Sequence, residues 1–163
     1  EMDSKQIQSI LVAAINHCEA DVILCGKQAA DTNSGSTGPG IASLMGAACV
    51  GMVSEVTVEG DGFSALRASS LGDERVSVSR PCLFAFDKAS TELRRPNVKG
   101  IMMAKRKVIE SVSTDDLGVN LGESQVNIDS HDSPPEKPPG QKFEGADSVQ
   151  TVVLKLREEA NVI

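Results

Sequence analysis

Residues 21–45 read DVILCGKQAADTNSGSTGPGIASLM, and the architecture turns on this stretch. Val22–Cys25 is a short continuous apolar run, the pattern of a parallel strand covered on both faces. A turn follows at Gly26, then a polar loop, and a helix opens near Thr37–Pro39. Asp, Thr, Asn, Ser and Gly crowd the loop from Asp31 to Gly38. Such residues cap helices, tolerate unusual backbone angles and leave amides free. A helix N-terminus issuing from such a loop presents first-turn amides without intrahelical partners, which suits a phosphate. The spacing matches neither the Walker lysine loop nor the GxGxxG fingerprint. The residues alone therefore fit a well-capped strand-to-helix turn as readily as an anion site.

Upstream, Ser4 is placed to cap a helix running to about His17, with Ile7, Ile10, Leu11, Ala14 and Ile15 on one apolar face. Helix, strand, loop and helix together define part of a doubly wound, Rossmann-like α/β unit. Its ligand crevice belongs at the strand's carboxyl end, where Lys27–Gly38 falls. Downstream, Ile41, Ala42, Leu44 and Met45 continue the second helix and Gly46 closes it. Val53–Glu59 alternates apolar and polar, Gly60–Gly62 is a turn, and Phe63–Ala68 returns as a hairpin. Arg75–Ser79 alternates again, Cys82–Phe86 is an apolar strand after Pro81, and Val108–Val112 reads as a last strand. A β meander is thus grafted onto the α/β unit, which spans residues 1–112.

Residues 113–163 form a linker and an arm. The stretch from Gly122 to Gly145 contains SPPEKPPG and is too polar for a core of its own. Asp147–Asn161 resumes as a helix with Val149, Val152, Val153 and Leu156 on one face, the pattern of an arm docking on another protein surface.

Composition narrows the function. The chain has no Trp or Tyr and only four Phe. Its core is aliphatic, and stacking on bases or on a flavin ring has few side chains to use. Sixteen Lys and Arg against 23 Asp and Glu give a net charge of −7, which argues against general nucleic-acid binding. Cys18, Cys25, Cys49 and Cys82 form no CxxC pair. Cys18 and Cys25 lie among apolar residues and are expected as reduced thiols in a packed interior. His17 and His131 share no metal-ligand spacing. No apolar run reaches the ~18 residues of a membrane helix, so an integral membrane chain is not expected. No secretory signal is read, and removal of a targeting segment ahead of Glu1 is compatible with the sequence. The basic residues gather at Arg94, Arg95, Lys99, Lys105, Arg106 and Lys107; taken alone, such a run is a solvated face.

Several of these stretches, in order, resemble the electron transfer flavoprotein beta subunit family. DVILCGKQAADTNSGSTGP is similar to that family's adenine-nucleotide loop, and Ile101–Lys107, IMMAKRK, to its IM-x-AK-x-K run. Pro81 before a strand, Asp115–Val119, Pro134–Pro135 and the closing amphipathic helix ending at Ile163 also follow its order. The family's earlier strand-helix-strand portion has no counterpart here. The resemblance implies that an alpha subunit carries FAD and that the beta chain buries AMP or another adenine nucleotide. Electrons then pass from dehydrogenases to a membrane quinone reductase, in fatty acid oxidation among other routes. The beta chain is an electron-carrier subunit with no catalytic residues of its own.

By position, the resemblance assigns nucleotide contacts to Asp31, Thr32, Gly35, Ser36, Thr37 and Gly38. Thr37 matches the family's hydroxyl residue, Thr32 stands at an acidic position, and Gly35 and Ser36 replace Asn and Gln. It assigns docking of acyl-CoA dehydrogenases to Glu92, Arg94, Val98, Ile101 and Met102. There Val98 stands for a leucine, Met103 for a lysine, and the aromatic residue of the family's loop is missing from Thr91–Arg95. The implied partner is an alpha-like subunit, and the implied compartment is the mitochondrial matrix, or the cytoplasm in a bacterium. A second reading also stands: a non-redox structural or accessory subunit derived from this family, within a larger mitochondrial assembly.

Overall fold

The computed structural model describes residues 2–87, 92–137 and 139–162. Ser90 and Thr91 at the start of the basic segment, Pro138 in the Pro-rich stretch and Ile163 at the end of the arm lie outside them. In chain order the elements are α1 (Ser4–His17), β1 (Val22–Gly26), α2 (Thr37–Met45), β2 (Ala48–Glu59), β3 (Gly62–Ser69), β4 (Gly72–Val78), β5 (Cys82–Phe86), α3 (Val98–Ala104) and α4 (Val149–Glu158). The fold is α/β, as expected, with an open mixed sheet ordered β1-β5-β2-β3-β4. β1 and β2 both pair in parallel with β5, and β2-β3-β4 is the antiparallel meander.

β5 is the spine. Its sequence CLFAF is apolar throughout because both of its faces are covered. Cys82 and Phe84 join Val50, Val53, Phe63 and Ala65 on one side. Leu83 and Ala85 pack with Ile41 and Ala42 on the other. That second face is roofed by α1 and α2, through Val12 and Ile15 of the first and Met45 of the second. On the first face Phe63 meets Phe84 edge to face at 5.7 Å.

β2 is long because it pairs with two neighbours of the one sheet in turn. Its first half runs beside β5, and its second half turns away to pair with β3. The change is made at an irregularity where Met52 takes a φ of 59°; the register against β5 slips between Gly51 and Val53, and that against β3 between Val53 and Glu55.

Several sequence expectations change at this level. β1 is parallel, but it is an edge strand and is not covered on both faces; Leu24 is 64% exposed. Val108–Val112 joins no strand, and Val108 and Ile109 stand in solvent. Asp3, not Ser4, caps α1. Its carboxylate accepts from the Gln6 amide at 2.8 Å, while the Gln6 side chain accepts from the Asp3 amide at 3.1 Å. Cys18, expected inside, is exposed and Cys25 is only half-buried; Cys49 is exposed, and the buried thiol is Cys82.

The chain divides into two compact units, Glu1–Asn127 and Ile128–Ile163. Residues 119–125 belong to the first because they are tied to the start of α1. The Gln6 amide group donates to the Gly122 carbonyl at 3.1 Å, and the Gln125 amide donates to Asp3 at 2.7 Å. The backbone bonds from Gln6 and then Gln125 hold the Asp3 carboxyl below the usual carboxylate range. The second unit carries a short 3₁₀ turn, Ala146–Ser148, that leads into α4. There Phe143 lies beside Val149, Val152 and Val153 around a small depression. The Lys155 ammonium reaches Glu159 at 2.6 Å, one helical turn on.

Candidate functional site

At the carboxyl end of β1 a cavity of about 450 Å³ opens between α1, the loop after β1 and the first turn of α2. That volume lies within the range of small-molecule pockets. Leu11 and Ile15, one turn apart on α1, join Leu24 and Ile41 to make an apolar wall. Lys27, Thr32, Ser34 and Thr37 supply polar groups around it.

The loop holds its shape through its own side chains. Asn33 (φ 50°) and Gly35 (φ 61°) take left-handed angles that let the chain reverse. The Gln28 side chain donates to the Asn33 side-chain oxygen at 3.0 Å, and the Asn33 amide donates to the Ala29 carbonyl at the same distance. The Gln8 side chain on α1 donates to the Ser36 carbonyl at 3.1 Å and pins the start of α2.

Side chains of this loop were expected to cap α2, and they do not. Ser36 is the N-cap residue, yet its backbone is already helical (φ −87°, ψ −22°) and its hydroxyl makes no capping bond. It lies 3.1 Å from the Ser34 hydroxyl instead. Pro39 lacks a donor, and Thr37 and Gly38, both lining the cavity, begin α2 without a side-chain cap on its first turn. Gly38 itself is required by packing. A Cβ there would sit 2.8 Å from the Cys25 sulfur and 3.4 Å from a Leu83 methyl.

Lys27 anchors the other rim. Its amide donates to the Phe86 carbonyl at 2.7 Å, and its ammonium lies 2.7 Å from an Asp87 carboxylate oxygen. The carboxyl ends of β1 and β5 are thereby joined by one backbone bond and one ion pair.

Of the residues assigned by resemblance, Thr32, Gly35, Thr37 and Gly38 line the cavity. Asp31 and Ser36 do not; Asp31 accepts from the Thr32 amide at 2.8 Å and faces solvent. Residue-by-residue reading passed over Lys27, Gln28 and Ser34 in the same stretch, and Leu11 and Ile15 on another element. The helical spacing of Leu11 and Ile15 was visible, but not which end of the sheet they would cover.

The residues that the resemblance assigns to docking are exposed and do not line the cavity. Glu92 and Arg94 lie in irregular chain, and Val98, Ile101 and Met102 stand on α3 with 75%, 44% and 56% of their surface open. The Asn97 side chain caps α3 by accepting from the Gly100 amide at 2.8 Å. Among the described residues no group of three His, Cys, Asp or Glu is arranged to hold a metal. Burial raises the Cys25 thiol above its usual range, so it stays protonated near neutral pH. No described helix is long and apolar enough to cross a membrane.

A partly apolar cavity at a parallel strand's carboxyl end, beside an uncapped helix start and with Lys27 at its rim, lies where open α/β sheets hold their ligands. A family model described as Electron transfer flavoprotein domain matches residues 1–117. The chain is 29% identical over 167 residues to the "Electron transfer flavoprotein subunit beta" of Bacillus subtilis (strain 168), across 100% of this chain and 65% of that protein. It is 32% identical over 157 residues to the mouse protein of the same name, across 96% of this chain and 60% of the relative. For the human one the figures are 31% over 153 residues, 94% and 58%. The chain belongs to the electron transfer flavoprotein family, and these relatives are its beta subunits. It spans 58–65% of their length.

Proposed function

We propose that this chain is the beta-type component of an electron transfer flavoprotein. It binds AMP or another adenine nucleotide in the cavity above β1 and pairs with an alpha-like subunit that carries FAD. The assembly passes electrons from dehydrogenases toward a respiratory chain. The observation that carries this reading is the uncapped first turn of α2 at one end of a cavity whose other wall is apolar. A phosphate is served by the Thr37 and Gly38 amides, the Thr37 hydroxyl and the Lys27 ammonium. A base is served by the apolar side of Leu11, Ile15 and Leu24. When bound in the partner, FAD supplies the redox chemistry, and this chain contributes binding and orientation. Relatives from a bacterium and from mammals make the bacterial cytoplasm and the mitochondrial matrix its two candidate compartments.

The test is chemical. Acid extraction of the native complex should release adenine nucleotide, AMP foremost, in near-stoichiometric amount. An intact complex that releases none would overturn the nucleotide assignment and favour a scaffold role within a larger assembly.

The exposed apolar face of α3, set in the basic segment, supports docking of an acidic protein partner such as an acyl-CoA dehydrogenase. Arg94→Ala and Val98→Ala should each weaken that complex by about 1–3 kcal/mol, the usual effect of removing a charged or apolar anchor near an interface centre. Titration calorimetry against the dehydrogenase reads this, and unchanged affinity in both variants would make the segment a solvated face.

A further inference from the structure

The ion pair at the rim of the cavity has a consequence for which ligands the cavity accepts. Lys27 is the cation among the cavity-lining residues, and its ammonium is already engaged by Asp87 at 2.7 Å. Asp87 is held in turn, because its amide donates to the Val53 carbonyl at 3.2 Å, beside the Met52 bulge. The Asp87 backbone is therefore tied at the carboxyl edge of the sheet, and its carboxylate lies against the Lys27 ammonium. Both side chains keep roughly a third or more of their surface in solvent (35% and 43%), so the pair adds little to folding stability. Its larger effect is on the electrostatic potential at the rim, where a fixed negative charge cancels most of what Lys27 supplies.

We propose that Asp87 sets the charge selectivity of the nucleotide cavity. By neutralising Lys27 it leaves the α2 amides as the main anion-binding groups, enough for one phosphate group but unfavourable for the added charge of a polyphosphate. This rests on the cavity being the nucleotide site proposed above. The ligand class it selects is an adenine nucleoside monophosphate over the corresponding di- and triphosphates.

The experiment is titration of the assembled protein, freed of resident nucleotide, with adenosine, AMP and ATP at low salt. Wild type, Asp87→Asn and Asp87→Glu are compared. The Asn variant keeps the side-chain shape and removes the charge; the Glu variant keeps the charge. In Asp87→Asn, adenosine affinity is expected to stay unchanged, AMP to bind about three- to tenfold tighter, and ATP to gain more than AMP. These gains should fade as salt is raised, and Asp87→Glu should keep the wild-type order. Equal shifts for all three ligands in Asp87→Asn, or no shift at all, would overturn the selectivity role and leave the nucleotide assignment standing. Failure of wild type and both variants to bind any of the three would overturn the nucleotide assignment, and this inference with it.

Discussion

Phe84→Ala is expected to lower the unfolding free energy by about 3–5 kcal/mol, the range for truncating a fully buried phenylalanine. Phe84 is 0% exposed and sits on the strand that separates β1 from β2. Truncation removes the edge-to-face pair with Phe63 and leaves a cavity among Val50, Val53 and Cys82. The rings packed in the same cluster, Phe63 and Phe86, belong to β3 and β5 and are held by those strands, so the space is refilled only in part. Domains of this size are stable by roughly 5–15 kcal/mol, so the loss is a large share of the total. Urea unfolding followed by far-UV circular dichroism reads it. Phe143→Ala serves as the control: Phe143 is 40% exposed and lies in the second unit. The same substitution there should leave the main transition within about 0.5 kcal/mol of wild type. Equal effects at the two positions would mean that β5 is not the spine of the fold.

The contrast between β5 and β1 also marks how far the sequence could be read. VILCG and CLFAF are both short apolar runs bounded by polar residues, and periodicity cannot separate them. Yet Leu83 and Phe84 are 0% exposed and Leu24 is 64% exposed, because one strand is central and the other is an edge. Strand order depends on pairings between distant segments. β5 inserts between β1 and β2 only after the whole meander has been laid down, and no local pattern records that. The two edges are nonetheless different in kind. β4 carries Asp73, Glu74 and Arg75, charges that discourage further pairing, whereas β1 carries none.

What was legible was local. α1, β1, α2 and the hairpin follow from spacing and turn residues, and Gly46 closes α2 at a φ of 63° as its position suggested. Within the candidate site, Thr32–Gly38 could be picked out because the loop and the helix start are contiguous in the chain. Leu11 and Ile15 could not, since they reach the cavity from α1, nor could Asp87, which meets Lys27 at the rim from the end of β5. The capping expectation failed for a related reason. Ser36 has the right chemistry for an N-cap, but its backbone angles are those of the helix, and the Gln8 contact from α1 holds them there. Composition identifies residues able to cap; tertiary contacts decide whether they do.

Gly38→Val is expected to abolish retention of the adenine nucleotide proposed for the cavity, by way of the contact its side chain makes with the sheet. The Cβ of any residue at position 38 points at the sheet, toward the Cys25 sulfur at 2.8 Å and Leu83 at 3.4 Å, not into open space. Leu83 is fully buried and has no room to yield, while the half-buried Cys25 thiol on the strand beneath takes the closest contact. A lift of the first turn of α2 from β1 by a few tenths of an ångström relieves the contact and carries the Thr37 and Gly38 amides away from the phosphate position proposed above. Even Gly38→Ala should destabilise the domain by about 1–3 kcal/mol, the usual effect of overpacking, and should weaken AMP binding more than tenfold. The decisive variant is Cys25→Ala combined with Gly38→Ala. Removing the sulfur vacates the space the new methyl needs, so the double variant should regain most of the stability and most of the affinity lost by Gly38→Ala alone. Thermal unfolding and AMP titration on the two single variants and the double close the cycle. Additive losses, with no recovery in the double variant, would show that the close approach of α2 to β1 at Gly38 is not what sets the position of the amides.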